Sequence, residues 1–525
     1  MSVREQWIRA EAARTHGRIE DALAGYYDLL GAAEMAPYAH ARLSELAQAA
    51  GDLQRGTAHV LAIDTRKLRE PSLLALTARR CLALGETQAG LAAAAALLEA
   101  PSAPAALLAE TAKLLSDHME PGAALALLER ARQAGLRESA GSAYLDGLNR
   151  TYLGALDAAR AALERALALD PAFAPTYWSL AKLAIAEGRG MRVDTLRRRV
   201  AAMPDSHPNT PLLLYSLFHE LDADDDRDAA WTALERAMQA RRGQVRFSDA
   251  QDDALFARLD ASSTTLRTAS RSNDDGESGP RPVMLVGMPR TGTTIIEQSI
   301  CAGFRSASVG ELRDFVQQMR WVANRAGPLH PDIELLDALD GDGLAKVGQR
   351  YRTHAAWRAG DEPAYIDKWP ENYLVLGHAL AAMGDLRAVV VMRNPMDACW
   401  SNLKEWFGAS YYYSYDMGEV ARRQARFSRH VRRLRDLHGG RIVAVDYEAF
   451  VGEPRGETAR LGATLGLETR ERPVSGDAVV ATASAAQVRK GVSSRSVGAW
   501  KRYVRQLEPL RQALLDTGMD EDACG

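Results

Sequence analysis

The stretch Pro282-Val-Met-Leu-Val-Gly-Met-Pro-Arg-Thr-Gly-Thr-Thr294 decides how this chain reads. Its first six residues are a short apolar run suited to a buried strand; Gly292 supplies a tight turn, and Thr293 and Thr294 open a helix. Strand, glycine turn and helix start together form a cradle for an anion. Backbone N–H groups and the positive end of the helix dipole converge on the turn. Against the phosphate-loop pattern G-x-x-x-x-G-K-[ST], Gly287, Gly292 and Thr294 fit, but Thr293 stands where the lysine belongs. A cradle without that lysine predicts a nucleotide whose chemistry is not ordinary γ-phosphoryl transfer.

Working outward, three more apolar runs read as strands: Pro363–Asp367, Leu386–Met392 and Arg441–Asp446. Helical patterns lie between them, which implies an α/β domain with a mainly parallel sheet covered on both faces. Val389-Val-Val391 is the β-branched run that a central parallel strand needs. In such sheets ligands bind beyond the carboxyl ends of the strands. Those ends deliver Arg290 in the cradle, Lys368 in Asp-Lys-Trp-Pro-Glu-Asn372, Arg393 in Arg-Asn-Pro-Met-Asp-Ala-Cys-Trp-Ser401, and Tyr447 in Asp-Tyr-Glu-Ala-Phe450. Three cations converging on one rim point to a polyanionic nucleotide.

The part before the cradle has a different character. It is rich in Ala, Leu, Arg and Glu at helical spacing, with few β-branched runs. Leu-Glu steps at Leu98, Leu128, Leu163 and Leu234 are separated by 30, 35 and 71 residues, the last close to two repeats. A period near 34 is that of stacked helix–turn–helix units, and Asp170-Pro171 followed by Tyr177-Trp178 resembles a junction between tetratricopeptide repeats. The two readings of this half are a tetratricopeptide-like solenoid, open to a protein partner or to self-association, and a plain α-helical domain. The expected organisation is multidomain: all-α repeats over 1–258, a polar Gly/Ser/Asp-rich linker over 259–281, and a catalytic domain over 282–525.

Bulk properties exclude more than they specify. With 525 residues and 47% hydrophobic content the chain can bury ample core, and a net charge of −3 argues for neither nucleic acid nor a membrane surface. Cys81, Cys301, Cys399 and Cys524 have no paired spacing, so neither a disulfide framework nor a zinc site is expected. The charged, helical N-terminal pattern is no signal peptide, and no apolar run reaches spanning length, so a cytoplasmic location is expected.

With these motifs in hand, residues 282–505 resemble a sulfotransferase using 3′-phosphoadenosine 5′-phosphosulfate. The whole chain is similar to the bacterial tetratricopeptide-repeat sulfotransferases, whose catalytic part is similar to protein-tyrosine sulfotransferases. Five motifs occur in family order: G-x-P-R-[ST]-G-T-T, D-K-x-P-x-N, R-x-P-x-D-x-x-x-S, Y-E-x-[FL], and a late Gln487-Val-Arg-Lys-Gly491…Val497-Gly-x-Trp500 stretch. The resemblance implies that Pro289, Arg290, Thr291, Gly292, Thr293 and Thr294 hold the 5′-phosphosulfate. It implies that Arg393 and Ser401 hold the 3′-phosphate, with Arg489, Lys490 and Gly491 closing over it, and that Tyr447 belongs to the same nucleotide site. Asn394 and Met396 depart from the usual R-D-P-R-D, which predicts altered local pairing with binding retained.

The resemblance places Lys368 at the oxygen bridging sulfur and phosphorus, where it replaces the missing loop lysine, and no metal is expected. Glu311, in a Gly-Glu step 21 residues after Arg290, is the candidate base for the acceptor hydroxyl. It is also a residue that a helix N-terminus would favour. His354 and His378 are alternative bases within helical patterns. Seven arginines between Arg422 and Arg435 outline an amphipathic helix, read as a solvated basic face or as an attractor of an acidic acceptor. The implied activity is sulfuryl transfer to a hydroxyl of protein tyrosine or of a small phenol or alcohol. A kinase-like phosphotransferase is the rival, disfavoured because Met392-Arg393 stands where a magnesium-binding Asp would follow Val391. A repeat scaffold with an inactive nucleotide domain is the third reading.

Overall fold

Contacts divide the chain into two compact units: Met1–Glu138 with Arg313–His354, and Ser139–Leu312 with Ala355–Gly525. The computed structural model describes residues 1–185, 192–269, 279–471 and 493–524. In the first unit helices pair in chain order: α1 (Val3–Thr15) with α2 (Ile19–Leu29), α3 (Ala36–Ala49) with α4 (Leu53–Leu61), α5 (Pro71–Ala83) with α6 (Thr87–Leu98), and α7 (Ala105–Asp117) with α8 (Pro121–Gln133). Alternate helices α3, α5 and α7 also pack on one another, so the pairs stack. Fully buried alanines such as Ala22, Ala39, Ala93, Ala112 and Ala131 leave room for close helix approach. Caps fix the helix starts: Ser2 and Glu5 form a capping box on α1, and Asp52 accepts from Arg55 N–H at α4.

The second unit begins with α9 (Ala140–Leu153) paired with α10 (Leu156–Leu169). Helices α11 (Ala174–Ile185) and α12 (Val193–Ala201) both pack on α13 (Thr210–Ala223), which pairs with α14 (Arg227–Gln244). Every residue of α13 from Thr210 to Leu221 is buried, which makes it an interior helix with protein on all sides. The boundary expected at 258 falls inside α15 (Asp249–Ala269). Its polar tail is helical, and Ser262 and Ser263 satisfy their hydroxyls within it on Leu259 O, at 3.0 and 2.7 Å. The rest of the expected linker, from 270 to 278, lies outside the described residues.

Then comes β1 (Arg281–Gly287), α16 (Thr293–Gly303) and β2 (Ala307–Gly310). The chain next enters the first unit for α17 (Asp314–Val322), α18 (Ile333–Asp337) and α19 (Gly341–Ala355). There Trp321 Nε1 donates to Thr57 and Arg350 pairs with Glu86, both at 3.0 Å. The second unit resumes with β3 (Ala364–Asp367), α20 (Leu376–Ala382), β4 (Arg387–Met392), α21 (Pro395–Leu403), α22 (Met417–His438) and β5 (Ile442–Asp446). It closes with α23 (Tyr447–Gly452), α24 (Pro454–Leu465) and α25 (Glu508–Asp516). The sheet is parallel throughout, in the order β2-β3-β1-β4-β5. Its core joins Val283, Leu285, Val389 and Val391 to Ile296 and Ile300 of α16 and Leu461 of α24. Each such side chain, fully buried, contributes about 1.5–3 kcal/mol. Four strands lie where the apolar runs predicted them; β2, short and ending Ser-Val-Gly, has no such run and was not foreseen.

The basic helix α22 is only partly the solvated face expected of it. Arg429, Arg432, Arg433 and Arg435 are exposed, but Arg423 and Arg426 are buried against the acids of α15. Arg423 pairs with Asp252, reaches Glu371 at 3.2 Å, and donates to Tyr373 Oη at 2.8 Å. Arg426 holds Asp249 at 2.7 Å and Asp252 and Asp253 at 3.0 Å, while His430 lies 2.7 Å from Asp260. Among the described residues no helix is long and apolar enough to cross a membrane. Arg423 is 2% exposed, so Arg423→Ala strands buried carboxylates. We expect a loss of about 3–5 kcal/mol, seen as a lower urea midpoint for hydrogen exchange of the α22 amides; an unchanged midpoint would show the network to be energetically neutral.

Candidate functional site

The turn after β1 is strained into the shape a cradle needs. Arg290 has φ +65° and Gly292 φ +99°, both left-handed. A Cβ on Gly292 would sit 2.2 and 2.4 Å from the Tyr447 ring carbons, so only glycine fits there. Three successive carbonyls of the turn are engaged by side-chain donors. Thr291 Oγ1 donates to Met288 O at 2.7 Å, Asn402 Nδ2 to Pro289 O at 2.8 Å, and Arg393 Nη1 to Arg290 O at 2.9 Å. With its carbonyls committed, the turn offers an anion its N–H groups and the N-terminus of α16, where Thr293 and Thr294 are buried.

Arg393 and Ser401 meet. Pro395 starts α21 with Asn394 as N-cap, and eight residues separate Arg393 from Ser401, about two turns, so Nη1 reaches Ser401 Oγ at 3.2 Å. Arg393 Nη2 donates to Ser496 O, its guanidinium lies 4.7 Å from the Tyr447 ring centroid, and Tyr447 Oη is 2.7 Å from Ser496 Oγ. Burial lowers the Arg393 pKa, and its Nε is buried without a hydrogen-bond partner. Asp397 closes the rear of this corner by accepting from Gly498 N at 2.6 Å and Trp500 N at 3.1 Å. The departures from R-D-P-R-D are absorbed locally: Asn394 Oδ1 caps Asp397 N at 3.2 Å, and Met396 is buried. Arg489, Lys490 and Gly491 lie outside the described residues.

Lys368 emerges at the end of β3, beside β1, and is 1% exposed. Its Nζ pairs with Glu311 Oε1, so the two sequence candidates for catalysis stand together. Asp367 fixes both: its carboxylate accepts from Leu312 N at 3.2 Å and from Asn372 Nδ2 at 3.1 Å, while Lys368 N donates to Gly310 O at 2.9 Å. His378 is buried in α20 and pushed down to about 4 by burial and by His430, and His354 belongs to the first unit, bonded to Gly85 O at 2.9 Å.

Four charged groups beside these were not read from the sequence. Glu297 of α16 is buried and accepts from Ser308 Oγ at 2.6 Å. Burial raises its carboxyl from an ordinary 4.5 to about 7, opposed by Lys368 and the serine bond, with Glu311 adding to the rise. Glu405, 2% exposed, is bonded to Arg290 Nε at 3.2 Å and to Lys182 Nζ at 2.8 Å. Burial pushes both Lys182 and Lys404 down to about 8. The one available signal for Glu297 was an acid in the otherwise apolar helix Thr-Thr-Ile-Ile-Glu297; Asn402, Glu405 and Lys182 had none.

Residues 282–471 match the model of the Sulfotransferase family, so the C-terminal region carries a sulfotransferase-family domain. An uncharacterized protein of Aquifex aeolicus (strain VF5) is 23% identical over 376 residues, 69% of this chain and 49% of that protein. The chain therefore spans about half the length of this curated relative. Similar solved structures include the sulfotransferase domain from the curacin biosynthetic pathway, with 15% identity, covering 44% of this chain and 99% of that one at a TM-score of 0.27. A sulfotransferase from Mycobacterium tuberculosis H37Rv has 13% identity, covering 62% of this chain and 98% of that one at a TM-score of 0.28. At TM-scores this low the structural likeness adds nothing to the family match.

Two outcomes follow from the geometry. Gly292→Ala must displace the Tyr447 ring or the turn, so nucleotide affinity should fall at least about tenfold with the far-UV spectrum unchanged; isothermal titration decides, and equal affinity would refute the steric argument. Glu297 keeps its proton in the folded state while the unfolded chain releases it, so it withdraws stability as pH rises from 4.5 to about 7. Glu297→Gln should flatten that decline in urea midpoints measured across the window.

Proposed function

We propose that the chain transfers a sulfuryl group from 3′-phosphoadenosine 5′-phosphosulfate to a hydroxyl, with protein tyrosine and small phenols or alcohols as the acceptor classes. The observation that carries this reading is the buried Lys368–Glu311 pair at a strand end beside a phosphate cradle that lacks its own lysine. The residues present fit the donor. The turn has its carbonyls committed elsewhere, and Arg393 holds a buried, unpartnered Nε next to Ser401. Arg393 and Ser401 would take the 3′-phosphate, and the turn at Pro289–Thr294 the 5′-phosphosulfate, with Tyr447 packed against both Gly292 and Arg393.

The chemistry asked of the protein is then small and local. A bond forms between the acceptor oxygen and sulfur, and the bond from sulfur to the phosphate oxygen breaks, leaving adenosine 3′,5′-bisphosphate. Glu311 takes the acceptor proton, and Lys368 stabilises the negative charge that develops on the leaving oxygen. The two neutralise each other, which offsets the cost of burying a lysine with 1% exposure. Asp367 holds both ends of the pair in register through Leu312 and the end of β3. The paired helices of the N-terminal region are read as a tetratricopeptide-like array that presents a surface to a protein partner or a second copy.

The test is transfer of labelled sulfuryl from the donor to peptides and phenols, with Lys368→Ala and Glu311→Ala beside wild type. Each substitution should lower kcat by about 10²–10⁴-fold while adenosine 3′,5′-bisphosphate still binds by calorimetry. Nucleotide binding that is absent, or that requires magnesium, would sink the reading. Wild-type turnover by Glu311→Ala would remove Glu311 alone.

A further inference from the structure

The helical segment before the cradle grips the site from behind. Residues 403–405, at the end of α21, are held by three side chains of two helices. Tyr215 Oη of α13 donates to Leu403 O at 3.1 Å, and His219 Nε2 of α13 lies 3.0 Å from Lys404 O. Lys182 Nζ of α11 binds Glu405 Oε2 at 2.8 Å. The last carbonyls of a helix have no partner within it, so Tyr215 and His219 complete the end of α21. Glu405 then passes the contact on, since the same Oε2 holds Arg290 Nε at 3.2 Å. Upstream on the same helix Ser401 meets Arg393, and Asn402 holds Pro289 O. The grip is buried and apolar around its edges: Lys182 lies 5.1 Å from the Trp178 ring centroid, and Trp178 packs on His219 at 5.2 Å.

A carboxylate buried between two cations is fixed in position only while both are present. Without Lys182, Glu405 loses its shorter ion pair and its oxygen is free to rotate with Arg290. Arg290 is the left-handed residue at the apex of the turn, so a change in its side-chain anchor bears directly on the cradle.

We infer that Lys182 is a positioning residue for donor binding: through Glu405 it sets Arg290, and helices α11 and α13 are thereby part of the nucleotide site. The inference rests on the reading of the cradle as the donor site. It assigns a role to helices that the sequence had placed in a separate repeat array, and it makes donor affinity responsive to whatever moves α11 or α13.

The experiment uses the full chain. Adenosine 3′,5′-bisphosphate is titrated calorimetrically, and transfer kinetics are measured for wild type, Lys182→Met, Lys182→Arg and Tyr215→Phe. Lys182→Met should raise the nucleotide Kd and the donor KM about tenfold with kcat changed less than twofold, and Lys182→Arg should restore most of the affinity. Tyr215→Phe, which removes one hydroxyl and leaves the packing, should weaken binding about threefold to fivefold, and it keeps the test decisive if Lys182→Met does not fold. Glu405→Gln should make the Lys182→Met effect largely disappear in the double variant. Wild-type binding that is unchanged in both Lys182→Met and Tyr215→Phe would overturn the inference. A fall in kcat at constant KM, or failure of Lys182→Arg to rescue, would overturn it as well. Absence of binding by wild type would instead refute the donor assignment.

Discussion

Arg393 brings a charge into a nearly closed interior, 8% exposed, where its described partners are neutral: Arg290 O, Ser401 Oγ, Ser496 O and the face of Tyr447. A buried guanidinium without a bonded carboxylate costs several kcal/mol. Here the cost is offset by tying together four segments that are remote in sequence: the turn after β1, the start of α21, the start of α23 and the 3-10 turn at Ser494–Ser496. The unpartnered Nε leaves that charge open to an anion. The site's other features depend on this joint, because Gly292 must stay side-chain-free for Tyr447 to pack on Arg393, and Asn402 and Arg393 hold the turn by its carbonyls.

The same logic governs the Lys368–Glu311 pair. A lysine and a glutamate at the end of β3 and β2 would drift in solvent; here Asp367 and Gly310 fix their backbones and burial strengthens their attraction. Glu297 sits within the field of both and holds its proton near neutrality because burial outweighs Lys368. Lys368, Glu311 and Glu297 thus share one corner of the second unit, held by Asp367, Gly310 and Ser308.

What the sequence made legible follows from period and short spacing. β1, β3, β4 and β5 announced themselves as apolar or β-branched runs, and Arg393 just precedes the helix that carries Ser401 about two turns on, so short spacing brings them together. β2 was hidden because four residues ending in glycine carry no pattern. Glu405 and Lys182 were hidden for a different reason: their partners lie 223 residues apart, and nothing local marks a helix lysine as buried. Arg423 and Arg426 looked solvated because the α22 pattern alone cannot show that Asp249, Asp252 and Asp253 of α15 face them. Arg489, Lys490 and Gly491 are known from their motif alone.

The most consequential difference concerns where the helical region ends. Composition changes at the linker, which invites a boundary there, yet the contacts that define the second unit begin at Ser139. The reason is energetic. α13 is buried on every side and meets the end of α21, and α15 supplies the acids that neutralise Arg423 and Arg426 of α22, so neither helix could leave these partners without exposing apolar surface or stranding charge. Composition records what a segment is made of, whereas a unit is defined by what its side chains bury. In this chain the helices from α9 to α15 are helical by composition and belong by burial to the unit that holds the parallel sheet.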